Sequence, residues 1–461
     1  MSKKNLGWRS FNWFLALTFF GAGIGYSNES ASKEIVHSFD VFDTLVGRLH
    51  KDPHAHYYPV ESLYPFPGFP AKRIQAELRS NGTLEDIYHQ FALLTGISQA
   101  EAQKLRKFEF QEELSNVFPI MSTLSQVQDG DILVTDTYYS ESEILQIVRK
   151  VGLDKKVKIF ATVNGKKEGW VWPVILRSYT ILEHIGDNEV SDVASPKRYG
   201  IRAKKFELCN YSSIENEVYK AGQEELANLM RVLRLSNPYP QDSKMYQSWW
   251  EQAQFNVPIL ILSSFFLNDF CQKQKIQTIL FSQRDCYHWI KIFQALFPAY
   301  HSIDFMTSRL AYNNPSPEYI KDVSSLCKEK FVIADGNGSG ESCVNFFKKY
   351  LQISPLNLAI VRRGSACPGI TYADATYIEY INCAPFGSLK TLTSEGPVRL
   401  NLELPIGLVQ AASACVNRAI QILPSFQFKG FDKTTMEEVL MKNLMKQKPV
   451  MMPYHRNTHG P

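Results

Sequence analysis

The sequence predicts an α/β protein built from two parallel sheets, each with helices on both faces. Short apolar runs alternate with helical stretches from Ser32 onward, the pattern of strands joined by helical crossovers rather than by hairpins. The same alternation starts again after residue 245, beyond a break at SNPYPQD (236–242). Composition agrees with a folded chain. Of 461 residues, 44% are hydrophobic, 13% aromatic and 21% charged, which excludes collagen-like, mucin-like and largely disordered proteins. A net charge of +4 supplies no bulk attraction for nucleic acid, and none is expected as a partner.

Residues 1–30 stand apart. Lys3, Lys4 and Arg9 precede an uncharged run from Phe11 to Ser27 with small residues at Ala22, Gly23 and Gly25. This matches a secretory signal peptide or membrane anchor, and the other reading is a disordered or packed N-terminus. The protein is thus expected to be exported or anchored, and otherwise cytoplasmic. Membrane contact is expected through residues 11–27 only. Asn12 and the glycines make that run a poor spanning helix, which needs ~20 apolar residues. The eight cysteines all follow residue 208 and show no zinc-ligand spacing, so buried thiols are expected, with disulfides open if the chain is exported.

The first unit covers residues 31–212. Its strands are IVHSF (35–39), DILVT (131–135), VKIFAT (157–162), ILEHIG (181–186) and IRAKKFE (201–207). ESEILQIVRKVG (141–152) is a helix between them. A helical insertion is expected at about 50–128, where TLEDIYHQFALLTG and SQAEAQKLRKFEFQEEL each begin with a capping Thr or Ser. Residues 213–245 read as a linker helix. The second unit, 246–430, opens with a buried helix at 257–270. It continues with strands QTILFS (277–282), SIDFMTS (302–308), KFVIADG (330–336) and LNLAIVRR (356–363), and helices lie at 289–297 and 342–351. The tail, 431–461, is amphipathic at first and then frays.

Carboxyl ends of parallel strands form the ligand crevice of such sheets. Four strand ends carry chemistry in order. SFDVFDTLV places Asp40 there, LVTDTYYS places Thr135 and Asp136, VNGKKEG places Lys166 and Lys167, and LEHIGDNEVSD places Asp187 and then Asp192. From Ile35 to Glu207 this resembles the haloacid dehalogenase-like (HAD) superfamily. The resemblance implies a Rossmann-like parallel sheet with residues 50–128 as a helical cap. It implies that Asp40 attacks the electrophile to form a covalent aspartyl intermediate and also binds Mg²⁺. Thr135 would hydrogen-bond the transferring group. Lys166, preferred over Lys167 for its spacing to Gly169, would neutralise that group. Asp187 and Asp192 would complete the Mg²⁺ site. The physical chemistry agrees, because a phosphoryl group among carboxylates needs a cation and a lysine, and oxygen ligands suit Mg²⁺. The implied function is Mg²⁺-dependent hydrolysis of a small phosphomonoester. FDVFDTL followed by TDTYYS also looks like large bacterial HAD-like proteins with an extra C-terminal α/β domain.

One departure matters. Phosphatases of this family usually carry a second Asp two residues after the nucleophile as general acid and base, and here Phe42 stands there. Asp43 follows, and in an extended segment it would face away. Three readings stay open: a phosphatase with Asp43 or a cap residue supplying the proton, dehalogenase-like chemistry, or a catalytically weakened phosphate-ligand-binding or regulatory protein. Asp40 by itself would be an ordinary strand-end turn residue, and the fourfold constellation argues against that.

A second constellation, FVIADGNGSGES, runs from a strand through a Gly/Ser loop into a helix. Asp335, Gly338, Ser339, Gly340 and Ser342 resemble the phosphoribosyl-pyrophosphate loop of type I phosphoribosyltransferases. With Arg284 in the QRDC turn they would form a second phosphate site, and phosphoribosyl transfer is the function implied. The bland reading is a tight strand-to-helix turn. His184 reads as a packed strand residue, and Trp249 and Trp250 as packing.

Overall fold

The computed structural model describes residues 33–63, 66–362, 369–371, 376–382, 384–401 and 404–457. The N-terminal segment assigned to export or anchoring lies outside them, as do Cys367 and Cys383.

Twelve of the fourteen strands among the described residues make the frame. They are β1 (Glu34–Phe39), β2 (Val46–Arg48), β3 (Val117–Pro119), β4 (Ile132–Asp136), β5 (Lys158–Thr162), β6 (Tyr179–Gly186), β7 (Ala203–Lys205), β8 (Thr278–Ser282), β9 (His301–Phe305), β10 (Phe331–Gly338), β11 (Leu356–Arg362) and β12 (Gly369–Thr371). The first sheet has order β5-β4-β1-β6-β7 and is parallel throughout. The second has order β12-β11-β10-β8-β9 and is also parallel. Fully buried strands such as TILFS in β8 carry no polar face, as expected where helices cover both sides.

Between β1 and β4 lie α1 (Tyr57–Leu63), α2 (Phe69–Arg79), α3 (Leu84–Thr95), α4 (Gln99–Ser115) and α5 (Met121–Leu124), entered and left through the antiparallel pair β2–β3. The sequence fixes these helix starts locally. Thr83 caps α3, and Ser98 with Glu101 forms a reciprocal capping box on α4. Ser140 and Glu143 repeat that box on α6 (Glu141–Lys150).

The segment read as a linker is core. Helix Glu224–Leu235 buries Leu226, Leu229, Met230 and Leu233. One apolar cluster takes in Phe39 and Leu133 of the first sheet, Leu229 and Leu233 of that helix, and Ile279 and Leu358 of the second sheet. The tail joins it through Met436 and Leu440. The six cysteines of the described residues are free thiols, and five are buried.

Two local expectations are corrected. The chain after Asp40 is not extended: it turns, with Leu45 N–H bonded to Val41 O at 2.9 Å and Asp43 at φ 55°. And β10 runs two residues past the expected end at Gly336, to Gly338, which pairs with Arg362 of β11, so Asn337 and Gly338 of GNGSG are strand rather than loop. Of that loop, Gly340 takes the left-handed conformation, at φ 70°.

Candidate active site

In the first sheet the chain runs β1, β4, β5 to one side and then crosses back to β6 and β7. The direction therefore reverses between β1 and β6, and the crevice outside their carboxyl ends is the expected ligand position. Asp40 follows β1 and Asp187 follows β6.

Asp40 is 6% exposed, and its N–H is held by Ile185 O at 2.8 Å. Its Oδ1 accepts from the Lys166 ammonium, and the Thr44 hydroxyl lies 3.5 Å from Oδ2. The same ammonium donates to Asp192 Oδ1. Carboxylate oxygens of Asp40, Asp187 and Asp192 all lie within 4.8 Å of one another. Three carboxylates against one ammonium leave the cluster two charges short of neutral. This donor set of oxygens alone fits a hard divalent cation such as Mg²⁺.

Burial pushes the Asp40 carboxyl up, with Lys166 opposing and the other two carboxylates adding to it. Burial, then Asp43 and Asp192, raises Asp187 to about 6. Burial works against ionised Asp192 as well, but the Lys166 ammonium and the His184 hydrogen bond hold it well below the carboxylate range. For Lys166 burial disfavours the ammonium, and the two carboxylates keep it well above its ordinary value.

The lysine is placed by a residue that the sequence sets at a strand end without a role. Asp136, the last residue of β4, accepts from the Thr162 hydroxyl at 2.7 Å and from the backbone N–H groups of Lys166 at 2.9 Å and Lys167 at 3.0 Å. That pins the turn α7 (Gly165–Glu168) so that Lys166 points inward, 2% exposed, while Lys167 is exposed. Gly165 permits the approach, since a Cβ there would meet Thr162 Oγ1 at 2.6 Å.

His184 is also more than packing. Its Nε2 lies 3.2 Å from Asp192 Oδ1 and its Nδ1 bonds the Ser38 hydroxyl. A carboxylate only accepts, so Nε2 carries the proton and Nδ1 accepts from Ser38. Gly186 makes room for this arrangement, because a Cβ there would sit 2.4 Å from Asp192 Cγ. The Asn188 N–H binds Asp192 Oδ2 at 2.9 Å. Thr135 lies one strand away on β4, 1% exposed, and its hydroxyl makes no hydrogen bond among the described residues. The Asp43 carboxylate accepts from the Cys209 thiol at 3.0 Å and is close enough to Asp187 to raise its pKa.

The second set of residues sits at the matching switch point of the other sheet, between β8 and β10. Arg284 Nε pairs with Asp285 at 3.2 Å and its Nη1 donates to Ser388 at 2.6 Å. Asp335 Oδ1 is sealed with no partner among the described residues. Its carboxyl is pushed up by burial and then by Asp285. Ser339 Oγ accepts the Glu341 N–H at 3.3 Å, and Gly340 and Ser342 lie at the start of helix Glu341–Phe346. Arg284 is thus engaged with an acid.

No protein-family model matches the chain, and no curated protein matches it. Among solved structures, it is similar to the crystal structure of 2-haloacid dehalogenase from Pseudomonas syringae pv. Tomato DC3000, at 18% sequence identity and a TM-score of 0.27. That similarity covers 39% of this chain and 89% of the other.

Proposed function

We propose that the first unit is a HAD-like hydrolase that removes the phosphoryl group of a small phosphomonoester through an aspartyl-phosphate on Asp40. The observation that carries this reading is the convergence of Asp40, Asp187 and Asp192 around the Lys166 ammonium at the switch point. Asp40, Asp187 and Asp192 would hold Mg²⁺, which when bound neutralises phosphoryl oxygens and orients them for in-line attack. Asp40 Oδ2, free of the lysine, is the oxygen presented for attack. Lys166 stabilises charge on the transferring group, and Thr135 is the hydroxyl available to bond it.

Asp43 is the proton donor in this reading. The turn at Val41–Leu45 carries it round to the Asp187 side of the crevice. Phe42 in place of the usual acid favours a second reading, a weakened protein that binds phosphate ligands without turning them over. A panel of phosphorylated metabolites and an aryl phosphate with Mg²⁺, with Asp40→Asn as control, separates the two. Turnover lost in the variant supports the hydrolase. Binding of the panel with no release of phosphate supports the second.

A further inference from the structure

Two arginines of the segment between β1 and β4 are used differently. Arg73 is fully buried and spends its fork on structure: Nε and Nη2 bind both oxygens of Glu109 at 2.8 and 2.9 Å, and Nη1 binds Glu77 at 2.9 Å. Arg48, at the end of β2, has one side-chain hydrogen bond among the described residues, from Nε to Glu113 Oε1 at 2.8 Å. Glu113 Oε2 is sealed and without a hydrogen bond, so the pair is not the bidentate one that the fork geometry allows.

The guanidinium is nevertheless fixed. Its carbon lies 4.0 Å from the centre of the Phe42 ring, and the Arg48 carbonyl accepts from Arg231. One hydrogen bond at the Nε edge and one ring against its face leave both Nη groups without a hydrogen-bond partner among the described residues, and neither is sealed from solvent. Four charge-bearing donors are therefore held ready on a side chain only 16% exposed.

The Phe42 ring, two residues from Asp40, places the guanidinium beside the active-site crevice. Phe42, Asp43, Tyr138 and Asp187 are partly exposed in a neighbourhood where Asp40, Lys166 and Asp192 are sealed, so they mark its mouth. Arg48 stacks on Phe42 and interacts electrostatically with Asp43 and Tyr138, and Asp43 in turn interacts with Asp187. We propose that Arg48 recognises a second oxyanion, a carboxylate or phosphate, on the leaving alcohol of the substrate. This rests on the phosphomonoesterase reading of the same crevice and narrows its substrate class. Phe42 then has a role of its own. It gives the guanidinium an apolar platform to stack on where an acid would pair with it directly.

Binding tests this without requiring turnover. In the Asp40→Asn protein with Mg²⁺, calorimetry compares 2-phosphoglycolate with ethyl phosphate (the carboxylate arm) and propane-1,3-diol bisphosphate with propyl phosphate (the phosphate arm). A charge-assisted hydrogen bond contributes ~1.5–3 kcal/mol, so the oxyanion-bearing member of at least one pair binds about 10- to 100-fold tighter. Arg48→Met combined with Glu113→Gln, which removes both buried charges together, brings that ratio near one. Equal affinities in both arms, no binding of either pair, or a ratio that survives the double variant would overturn the proposal. Failure of the hydrolase reading looks different: wild-type protein then shows the binding preference but releases no phosphate.

Discussion

Lys166 and Asp40 are joined across 126 residues of chain by an ion pair whose side chains are 2% and 8% exposed. The same ammonium holds Asp192, so one lysine separates two carboxylates that would otherwise repel each other in a sealed site. Lys166→Met is expected to cost ~3–5 kcal/mol in urea denaturation with chelator present, because breaking a buried pair leaves uncompensated charge. Added Mg²⁺ recovers part of that loss in the variant. Equal stability of variant and wild type in chelator would contradict the arrangement.

Asp43 carries the missing acid in the proposed reaction. Asp43→Asn is expected to lower kcat on an alkyl phosphate by ~10²–10⁴, the usual scale for a general acid or base. The loss shrinks on an aryl phosphate, whose leaving group needs less protonation. A variant with unchanged kcat on both substrates moves the proton donor elsewhere.

Gly186 is a packing requirement of the site rather than of the sheet. A methyl there would overlap Asp192 Cγ, 2.4 Å away, and displace a carboxylate bound by Lys166, His184 and Asn188. Gly186→Ala should weaken Mn²⁺ binding, followed by titration, by at least about tenfold. His184→Gln, which keeps an N–H donor for Asp192, should retain more affinity than His184→Leu.

Far from the site, Glu251 gives a pH signature. It is 1% exposed, its Oε1 accepts from Val450 N–H at 2.8 Å and Gln247 at 3.2 Å, and burial lifts its pKa from 4.5 to about 7. The folded state then binds more protons than the unfolded state between those values, so this contribution is full below pH 4.5 and is lost as pH rises to 7. The shift corresponds to about 3 kcal/mol at most. Glu251→Gln keeps the acceptor without the charge and should be the more stable protein at pH 8, with the difference fading toward pH 4. Parallel stability profiles for the two proteins would contradict this.

The strand and helix order of both sheets was legible because buried parallel strands are short apolar runs with helices between them. The carboxylates at 40 and 187 were legible because each directly follows a strand, where a polar residue interrupts an apolar run, and Asp192 because it lies five residues beyond Asp187, in the helical turn Glu189–Ala194. The spacing to Gly169 already favoured Lys166 over Lys167; what needed coordinates is the physical cause, since Asp136 binds both amides and the backbone geometry of the turn sends the Lys166 side chain inward. Arg48 escaped because its partner Glu113 is 65 residues away, and His184 because a histidine within an apolar strand reads as packing until the fold brings Asp192, eight residues on, and Ser38, 146 residues back, to its two ring nitrogens. Helix Glu224–Leu235 looked like a solvated linker for its Glu224, Glu225, Arg231 and Arg234. Yet Arg231 is 1% exposed, because its guanidinium finds the Arg48 carbonyl. Glycine in β10 reads as loop by composition, whereas ladder pairing with β11 carries the strand through it.

The central claim is that Asp40 becomes phosphorylated. Protein mixed with a turned-over phosphomonoester and Mg²⁺, quenched and reduced with borohydride, should yield homoserine in place of aspartate at position 40 when its peptides are sequenced by mass spectrometry. Turnover with an unmodified Asp40 peptide under the same quench, or modification confined to another carboxylate, would contradict it.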